Sequence, residues 1–284
     1  MEIINRRQRM FSISRKLRRE AKTVGFVPTM GALHDGHLAL VREARAACNV
    51  VIVSIFVNGK QFNDGSDLER YPRDLTSDAA ILAGYEVDYL FAPDDADMYP
   101  PGYSTYVSVE GLSDRLEGES RPNHFRGVST VVTILLNTIR PALAFLGQKD
   151  AQQVAVIKRL TMDLGFETEI VVVPTVREET GLAMSSRNSL LTDEQRQKAV
   201  VIIEALREAK TAFKKGERNA SALTESVKRR LETEPAARLD YVAVVDRDSL
   251  QPIEKVGDDE ALIAVAVHFG TIRLIDNVIL NRKQ

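Results

Sequence analysis

Two of the four histidines in this chain lie three residues apart, in the stretch PTMGALHDGH that runs from Pro28 to His37. An imidazole can donate a hydrogen bond to a phosphate oxygen, and when protonated it can stabilise charge that develops in phosphoryl or nucleotidyl transfer. An apolar run precedes the stretch and helical spacing follows it. Because helix N-termini attract phosphate, His34, Gly36 and His37 form a candidate nucleotide site that needs no Walker lysine loop.

Two alternative interpretations of the histidine pair remain at this point. A zinc ion could be bound, but it needs at least a third ligand, and only His124, His268, Cys48 and carboxylates are available, none at a familiar spacing. The two histidines could also be incidental loop residues, because motifs of four residues recur by chance.

The pattern around the histidines alternates between strand and helix. The predicted strands are Val24–Val27, Val50–Val57, Val87–Phe91, Ala142–Leu146 and Glu169–Val173. The predicted helices begin at about Asp35 and cover Asp78–Ala83, Val128–Ile139 and Gln152–Leu164, and Tyr106–Val109 is predicted to form an edge hairpin. This order predicts an α/β fold with a Rossmann-like, doubly wound parallel sheet.

The pattern of predicted elements changes after Arg187. Two charged helices are predicted from Asp193 to about Lys215 and over Ala220–Leu231, followed by strands at Tyr241–Val245, Leu262–Val267 and Ile272–Val278. This pattern indicates a smaller C-terminal α+β domain with an antiparallel sheet. We place the boundary near residues 175–188, which predicts a nucleotide-binding domain over 1–175 and a lid domain over 176–284.

Two further motifs follow predicted strands, at the sheet edge where α/β proteins bind ligands. The segment Met184-Ser-Ser-Arg-Asn188 supplies two hydroxyls and a guanidinium, and Gly147-Gln-Lys-Asp150 supplies a lysine. These groups are donors to phosphate oxygens. Each motif alone is weak, but three phosphate-directed motifs at three strand ends of one sheet favour a nucleotide site.

Composition limits the function classes. The chain has 284 residues, of which 44% are apolar and 27% charged, and its net charge of −2 does not favour nucleic acid as a partner. The basic run in the first 22 residues indicates a solvated helix face, with an RNA-binding arm as the alternative. The single cysteine, Cys48, indicates a core position. Without a membrane span or signal segment, a cytoplasmic enzyme or binding protein is expected.

The His34-x-Gly36-His37 signature with a later Ser/Arg loop resembles the nucleotidylyltransferase superfamily, which includes class I aminoacyl-tRNA synthetases. More narrowly, the chain resembles the pantothenate synthetase (pantoate–β-alanine ligase) family. The motifs that carry this resemblance are VPTMGALHDGHLALV, VSIFVN..QF, YPRDL, SRPNHFRGVSTVV, GQKDAQQ, AMSSRN and the ending RLIDN.

The resemblance implies a cytoplasmic homodimer that joins pantoate to β-alanine with ATP and magnesium, through a pantoyl-adenylate, releasing AMP and pyrophosphate. It implies that ATP contacts Met30, Gly31, Ala32, Leu33, His34, Asp35, Gly36, His37, Gly147, Gln148, Lys149, Asp150, Val176, Met184, Ser185, Ser186 and Arg187. The catalytic donors among these are His34, His37, Lys149, Ser185, Ser186 and Arg187. It also implies that Gln61 and Gln153 bind pantoate, and it makes Asp78 a magnesium-side candidate.

Two positions depart from the family pattern. Gly59 stands where the family usually has proline. Glycine loosens the loop before Gln61, whereas proline would stiffen it, and Lys60 adds a cation there. Ala151 replaces a common aromatic residue. Three other functions stay open: an adenylyltransferase for a phosphorylated cofactor precursor, a tRNA synthetase, and a nucleotide-sensing module without turnover. The tRNA synthetase is less favoured, because the chain lacks room for a sizeable anticodon-binding domain.

Overall fold

Six parallel strands form the central sheet in the computed structural model, which describes residues 1–63, 65–257 and 260–281. The strands are β1 (Glu2–Ile4), β2 (Val24–Thr29), β3 (Val50–Ile55), β4 (Tyr89–Phe91), β5 (Leu143–Gly147) and β6 (Glu169–Val173). Their order across the sheet is β1-β4-β3-β2-β5-β6. The predicted parallel α/β architecture is therefore confirmed, although β1 was not predicted.

Eight helices of the described chain accompany this sheet. They are α1 (Arg7–Arg19), α2 (Asp35–Ala47), α3 (Gly65–Arg70), α4 (Leu75–Ala83), α5 (Asp95–Met98), α6 (Glu117–Ser120), α7 (His124–Ile139) and α8 (Ala151–Asp163). Helix α1 buries Met10, Ile13 and Leu17 and exposes its basic residues, as predicted for a solvated face. Cys48, which follows α2, is buried, and burial raises the pKa of its thiol.

The middle of the sheet determines where a ligand can bind. Strand β3 is buried on both faces, with Val51, Ile52 and Val53 fully inaccessible, as expected for a parallel strand covered by helices. From β2 the chain proceeds through β3 to β4 on one side, then returns to β5 and β6 on the other. The strand order therefore reverses between β2 and β5, and the crevice at the carboxyl ends of such strands is the usual ligand site.

The C-terminal sheet has three antiparallel strands in the order β7-β8-β9. The elements are α9 (Asp193–Lys198), α10 (Val201–Lys214), α11 (Ala220–Glu232), β7 (Ala237–Asp246), β8 (Ala261–Phe269) and β9 (Ile272–Leu280). The helix predicted from Asp193 to Lys215 is interrupted at Ala199 and Val200, where the N–H of Ile202 donates to the Ala199 carbonyl three residues back. Ala199 is fully buried at the break, and the buried residues of the region lie on α10, whereas α9 buries none.

Contacts divide the chain into two compact units. The first contains Met1–Gly147 and Val156–Pro174, and the second contains Gln148–Ala155 together with the chain from Thr175 onward. The segment after β5 thus groups with the C-terminal sheet, although it leads into α8. The functional division predicted between residues 1–175 and 176–284 stays a prediction.

The hairpin predicted at Tyr106–Val109 is wrong, because this segment is irregular. Its backbone is held by a side chain instead: the N–H of Val107 donates to Thr130 Oγ1 at 3.0 Å, and Arg126 stacks 3.9 Å above the Tyr106 ring. Both partners lie on α7, so tertiary contacts replace the ladder that the alternating pattern indicated.

Among the described residues, no helix combines the length and apolar character needed to span a membrane.

Candidate active site

The turn after β2 is shaped by a buried carboxylate from α4. Asp78 is only 4% exposed, and its two oxygens accept hydrogen bonds from the backbone N–H groups of Ala32 (3.0 Å) and Leu33 (2.9 Å). Gly31 and Ala32 have positive φ angles of 83° and 51°. A Cβ atom on Gly31 would lie 2.8 Å from Asp78 Oδ2, so the turn requires glycine there.

The magnesium role expected for Asp78 stays a prediction, and the contacts give this carboxylate a different use. Both oxygens already accept backbone hydrogen bonds. Within residues 1–63, 65–257 and 260–281, no three His, Cys, Asp or Glu side chains are grouped as a metal site requires. The described part of the chain thus contains no such group of three that includes Asp78 or the two histidines.

The two histidines of the first motif cap the start of α2. Nδ1 of His34 accepts the N–H of Gly36 at 3.1 Å, and Nδ1 of His37 accepts the N–H of His34 at 3.3 Å. The rings lie 4.1 Å apart between centroids. Because each Nδ1 is an acceptor, the geometry corresponds to the neutral tautomer that carries its proton on Nε2. The sequence placed both residues at a helix N-terminus, and the structure confirms that placement.

A cavity of about 440 Å³ lies at the carboxyl ends of β2, β3 and β4. Its lining includes Met30 and Gly31 from the turn, Asp78 from α4, and the charged side chains Arg73 and Asp94. Two residues of the predicted ATP site therefore border an open space in the first unit.

Gln61 is held against this turn by contacts that the sequence did not reveal. Its Oε1 accepts from Asn58 Nδ2 at 3.0 Å, its Nε2 lies 3.0 Å from the sulfur of Met30, and its carbonyl lies 2.8 Å from His124 Nδ1. A Cβ on Gly127 would lie 2.4 Å from the Lys60 carbonyl, so α7 packs directly on this loop. Asn58 and His124 lie inside two of the family motifs, which was the available signal.

The ammonium of Lys60 lies within a group of three tyrosines, which we call the tyrosine cage: Tyr99, Tyr103 and Tyr106. Lys60 Nζ is 4.8, 5.8 and 5.3 Å from their ring centroids and 3.2 Å from the Tyr106 hydroxyl. Tyr99 in turn donates to Asn58 Oδ1 at 2.8 Å, and burial raises the pKa of its phenol. The cation added at position 60 thus contacts aromatic rings and ties the Gln61 loop to them.

In the second unit, a short hairpin pairs two of the predicted ATP residues. The N–H of Met184 donates to the Val176 carbonyl at 3.0 Å, and Arg177 and Ala183 form an antiparallel bridge. Gly181, with φ of 93°, allows the tight reversal.

The serine and arginine motif continues from this hairpin as a 3₁₀ turn over Ser186–Leu190. Ser185 Oγ accepts the N–H of Arg187 at 3.3 Å. Asn188 Nδ2 donates to Glu178 Oε1 at 2.7 Å, and Glu178 also accepts hydrogen bonds from Nε and Nη2 of Arg196. The hydrogen bond from Arg196 is the main reason that the pKa of Glu178 lies below its ordinary value.

The lysine motif is also anchored in the second unit. Lys149 Nζ lies 3.5 Å from Asp150 Oδ1, and the carbonyls of Gln148 and Lys149 both accept from the amide of Asn277. Gln153 follows on the first turn of α8 and is partly buried. Asn277 is a buried residue that the sequence patterns did not single out beyond the RLIDN ending.

The predicted site residues therefore fall into two sets. The first unit contains Met30, Gly31, Ala32, Leu33, His34, Asp35, Gly36, His37, Gln61, Asp78 and Gly147. The second unit contains Gln148, Lys149, Asp150, Gln153, Val176, Met184, Ser185, Ser186 and Arg187. Within each unit, several of these residues contact one another, as Gln61 contacts Met30 and Met184 contacts Val176. Their roles in binding stay predictions.

Comparison with known proteins gives one consistent result. The family described as pantoate-beta-alanine ligase matches residues 2–279. The chain is 50% identical over 280 residues to the pantothenate synthetase of Heliobacterium modesticaldum, covering 99% of each sequence. It is 51% identical over 263 residues to that of Moorella thermoacetica, covering 93% of each.

Solved structures agree with the sequence comparison. Pantothenate synthetase from Thermus thermophilus superposes with a TM-score of 0.92 at 43% identity, covering 99% of this chain and 100% of that chain. The pantoate-beta-alanine ligase of Francisella tularensis, complexed with beta-gamma ATP and beta-alanine, superposes with a TM-score of 0.81 at 38% identity, covering 98% and 97%.

Replacing Asp78 by Asn tests the carboxylate under the first turn. Asn keeps one acceptor and turns an amide N–H toward a backbone N–H, so we expect Asp78→Asn to lower the free energy of unfolding by roughly 1.5–3 kcal/mol in denaturant titration. Asp74→Asn on the same helix is the control, because a single acceptor is enough to cap Ser77 there. Equal losses in both variants would contradict the assignment.

Replacing Glu178 by Gln tests the support of the serine and arginine turn. Because the pKa of Glu178 is lowered in the folded state, its stabilisation is present above the unfolded value of about 4.3 and disappears as pH falls through the folded value. We expect Glu178→Gln to cost about 1 kcal/mol at pH 7, allowing for the exposure of Arg196, with the difference shrinking as pH falls below about 4.3. Glu194→Gln is the control: its ion pair with Lys198 is 76% exposed on the Glu194 side and screened by solvent, so its loss should be smaller than that at Glu178. A stability difference that persists unchanged at pH 2.5 would rule out the ion pair as its cause.

Proposed function

The chain belongs to the pantoate–β-alanine ligase family, and we propose that it forms pantothenate through a pantoyl-adenylate intermediate. As a member of this family it is a ligase that takes ATP as a substrate and condenses pantoate with β-alanine. The stepwise route, the roles of individual residues, magnesium, the homodimer and the cytoplasmic location are parts of the proposal.

The proposed first step activates a carboxylate. Pantoate is a poor electrophile because its negative charge is delocalised, so it attacks the α-phosphorus of ATP, the α–β phosphoanhydride bond breaks, and pyrophosphate leaves. In the second step the uncharged amine of β-alanine attacks the acyl carbon, AMP departs, and the amine loses a proton. The protein must therefore stabilise negative charge in the first step and hold an amine beside an acyl-adenylate in the second.

The observation that carries the proposal is the histidine turn. In both His34 and His37, Nδ1 accepts a backbone N–H, which holds the two imidazoles at the N-terminus of α2, where helices attract phosphate. The turn that leads to them is fixed by Asp78 and follows β2 at the switch point of the sheet. We propose that residues Met30 to His37 and Gly147 form the first-unit part of the ATP site. Apart from its two chain neighbours, no described residue has a heavy atom within 4 Å of a Cβ built on Gly147, which supports room for a ligand there.

The second unit supplies the proposed counter-charge for the leaving group. Lys149, Ser185, Ser186 and Arg187 are assigned to the phosphates, and Gln148, Asp150, Val176 and Met184 to the remainder of ATP. These assignments rest on the family motifs. Each preorganised donor of this kind contributes a few kcal/mol to transition-state stabilisation.

Gln61 and Gln153 are assigned to pantoate. Neutral amides can bind its hydroxyls and carboxylate without the positive charge that would weaken the carboxylate as a nucleophile. Supporting this for Gln61, its amide is already oriented by Asn58 and lies beside Met30. Magnesium is proposed to enter on the ATP phosphates, since both oxygens of Asp78 accept backbone hydrogen bonds.

Release of AMP and pyrophosphate from ATP–Mg²⁺ tests this function, with pantoate and β-alanine added separately and together. We expect steady AMP release only with both substrates, and one burst of pyrophosphate per site with pantoate alone. An adenylyltransferase for another substrate would leave no free AMP, and a sensing module would bind ATP without turnover. A tRNA synthetase would need tRNA for its product. Any of these three results would overturn the proposal.

We expect the rate to rise between pH 7 and pH 9 when amine attack limits turnover. An alkyl ammonium with a pKa near 10.4 is uncharged in only about one molecule in a few thousand at pH 7, and this fraction grows tenfold per pH unit. The measurement is kcat/KM for β-alanine across that range, with the pyrophosphate burst from pantoate alone as the control for adenylation. A flat profile would contradict limiting amine attack.

Substitutions at positions 59 and 60 test how the Gln61 loop is ordered. Asn58 has an extended rather than a helical backbone, and proline disfavours only the helical region for the residue before it, so Gly59→Pro should stiffen the loop and lower the pantoate KM. Lys60→Met removes the ammonium from the tyrosine cage and should raise that KM by about 2- to 5-fold. Lys60→Arg, which keeps a cation over the rings, is the matched control. An unchanged KM in both Gly59→Pro and Lys60→Met would show that loop order does not limit pantoate binding.

A further inference from the structure

Two adjacent polar residues on β9, Asp276 and Asn277, are almost completely buried, at 3% and 4% exposure. They pair with Val265 and Ala264 of β8 in the antiparallel ladder. Successive residues on a strand point to opposite faces, so the two side chains reach different parts of the second unit. Burying an amide and a carboxylate side by side is unfavourable unless each is hydrogen-bonded, and both are.

Asn277 holds the lysine motif by its backbone. Its Nδ2 donates to the carbonyls of Gln148 (3.0 Å) and Lys149 (2.9 Å), and its Oδ1 accepts from the Gln148 side-chain amide at 3.0 Å. One side chain thus makes three hydrogen bonds to two consecutive residues that precede it by 129 and 128 positions. Because the contacts are to backbone carbonyls, they fix the course of the chain at Lys149 without engaging its ammonium.

Asp276 holds the other motif through Arg177. The two guanidinium nitrogens donate to the two carboxylate oxygens at 2.6 and 3.0 Å, and Arg177 Nη1 also donates to the Gly181 carbonyl at 3.1 Å. Arg177 lies at the base of the hairpin whose second arm continues into Met184 and the serine and arginine turn. A bidentate pair of this kind fixes direction as well as distance.

We propose that Asp276 and Asn277 are positioning residues for the adenylation step. Neighbouring side chains on one strand fix the two phosphate-directed segments of the second unit, Gln148–Lys149 and Met184–Arg187, in a constant relation to each other. The inference rests on the proposed function, because it gives these segments their role toward the ATP phosphates. The grouping of Gln148–Ala155 with the C-terminal sheet is consistent with these hydrogen bonds.

Positioning predicts a particular kinetic pattern. A lysine displaced by about an ångström still attracts ATP but stabilises the departing pyrophosphate poorly, so the loss falls on the transition state. For Asn277→Ala and the isosteric Asn277→Asp, which turns a carboxylate toward two carbonyls, we expect kcat and the pyrophosphate burst rate to fall by about 10- to 100-fold. The KM values for ATP and β-alanine should stay within about threefold of wild type.

Hydrogen–deuterium exchange supplies a readout that does not depend on activity. Backbone amides over residues 147–152 should exchange faster in both Asn277 variants, and those over 177–187 should exchange faster in Asp276→Asn. Asn281→Ala is the matched control, since this nearby amide donates to Glu260, which belongs to neither motif. It should leave kcat and exchange in both segments unchanged. If Asn277→Ala does not fold, the isosteric Asn277→Asp variant provides the test.

The possible failures can be told apart. A wild-type chain that releases no AMP with all substrates overturns the proposed function. An active wild type whose folded Asn277 variants keep kcat within about twofold overturns this inference alone. Unchanged hydrogen–deuterium exchange over residues 147–152 in those variants also overturns it. A lower melting temperature with unaltered kcat would show that Asp276 and Asn277 contribute to stability only.

Discussion

The architecture of the site depends on backbone hydrogen bonds that the local sequence cannot supply. After β2 the chain adopts two consecutive positive φ angles, which take its N–H groups out of the strand ladder. The carboxylate of Asp78, 46 and 45 residues away, satisfies two of them. The next residues cap α2 with the Nδ1 atoms of His34 and His37. The turn, the two imidazoles and the first turn of α2 therefore belong to one continuous hydrogen-bonded network.

The same principle recurs in the second unit, with an amide in place of the carboxylate. Asn277 satisfies two carbonyls of the segment between β5 and α8, and Glu178 with Asn188 supports the turn of Ser186–Leu190. The side chains proposed to contact ATP thus lie on backbone segments that are fixed by hydrogen bonds from polar side chains. A buried polar group with every hydrogen bond made specifies one geometry, whereas a partly satisfied one costs stability.

Much of the fold was predictable because strands and helices follow from local periodicity. The apolar run of β3 and the bounds Glu169–Val173 of β6 required only neighbouring residues. The wrong hairpin has a tertiary cause: Tyr106–Val109 alternates like a strand, but Thr130 and Arg126 on α7 provide its contacts. The roles of Asp78, Asn58 and Asn277 likewise depend on partners that are 46, 69 and 129 residues away. Periodicity carries no information about such pairs, although the motif at His34 and His37 was recognisable from residue types alone.

The dependence of Lys149 on β9 has a consequence for biosynthesis. On the ribosome, the segment that carries Lys149 emerges long before residue 277 has been translated, so during that interval its two carbonyls lack their native donor. A nascent chain can form the parallel sheet from local and neighbouring segments while the C-terminal strand is still being made. Formation of the parallel sheet and anchoring of the segment that carries Lys149 are therefore separate events in time. Premature termination before β9 would yield a chain in which Lys149 is present but its backbone lacks the hydrogen bond from Asn277.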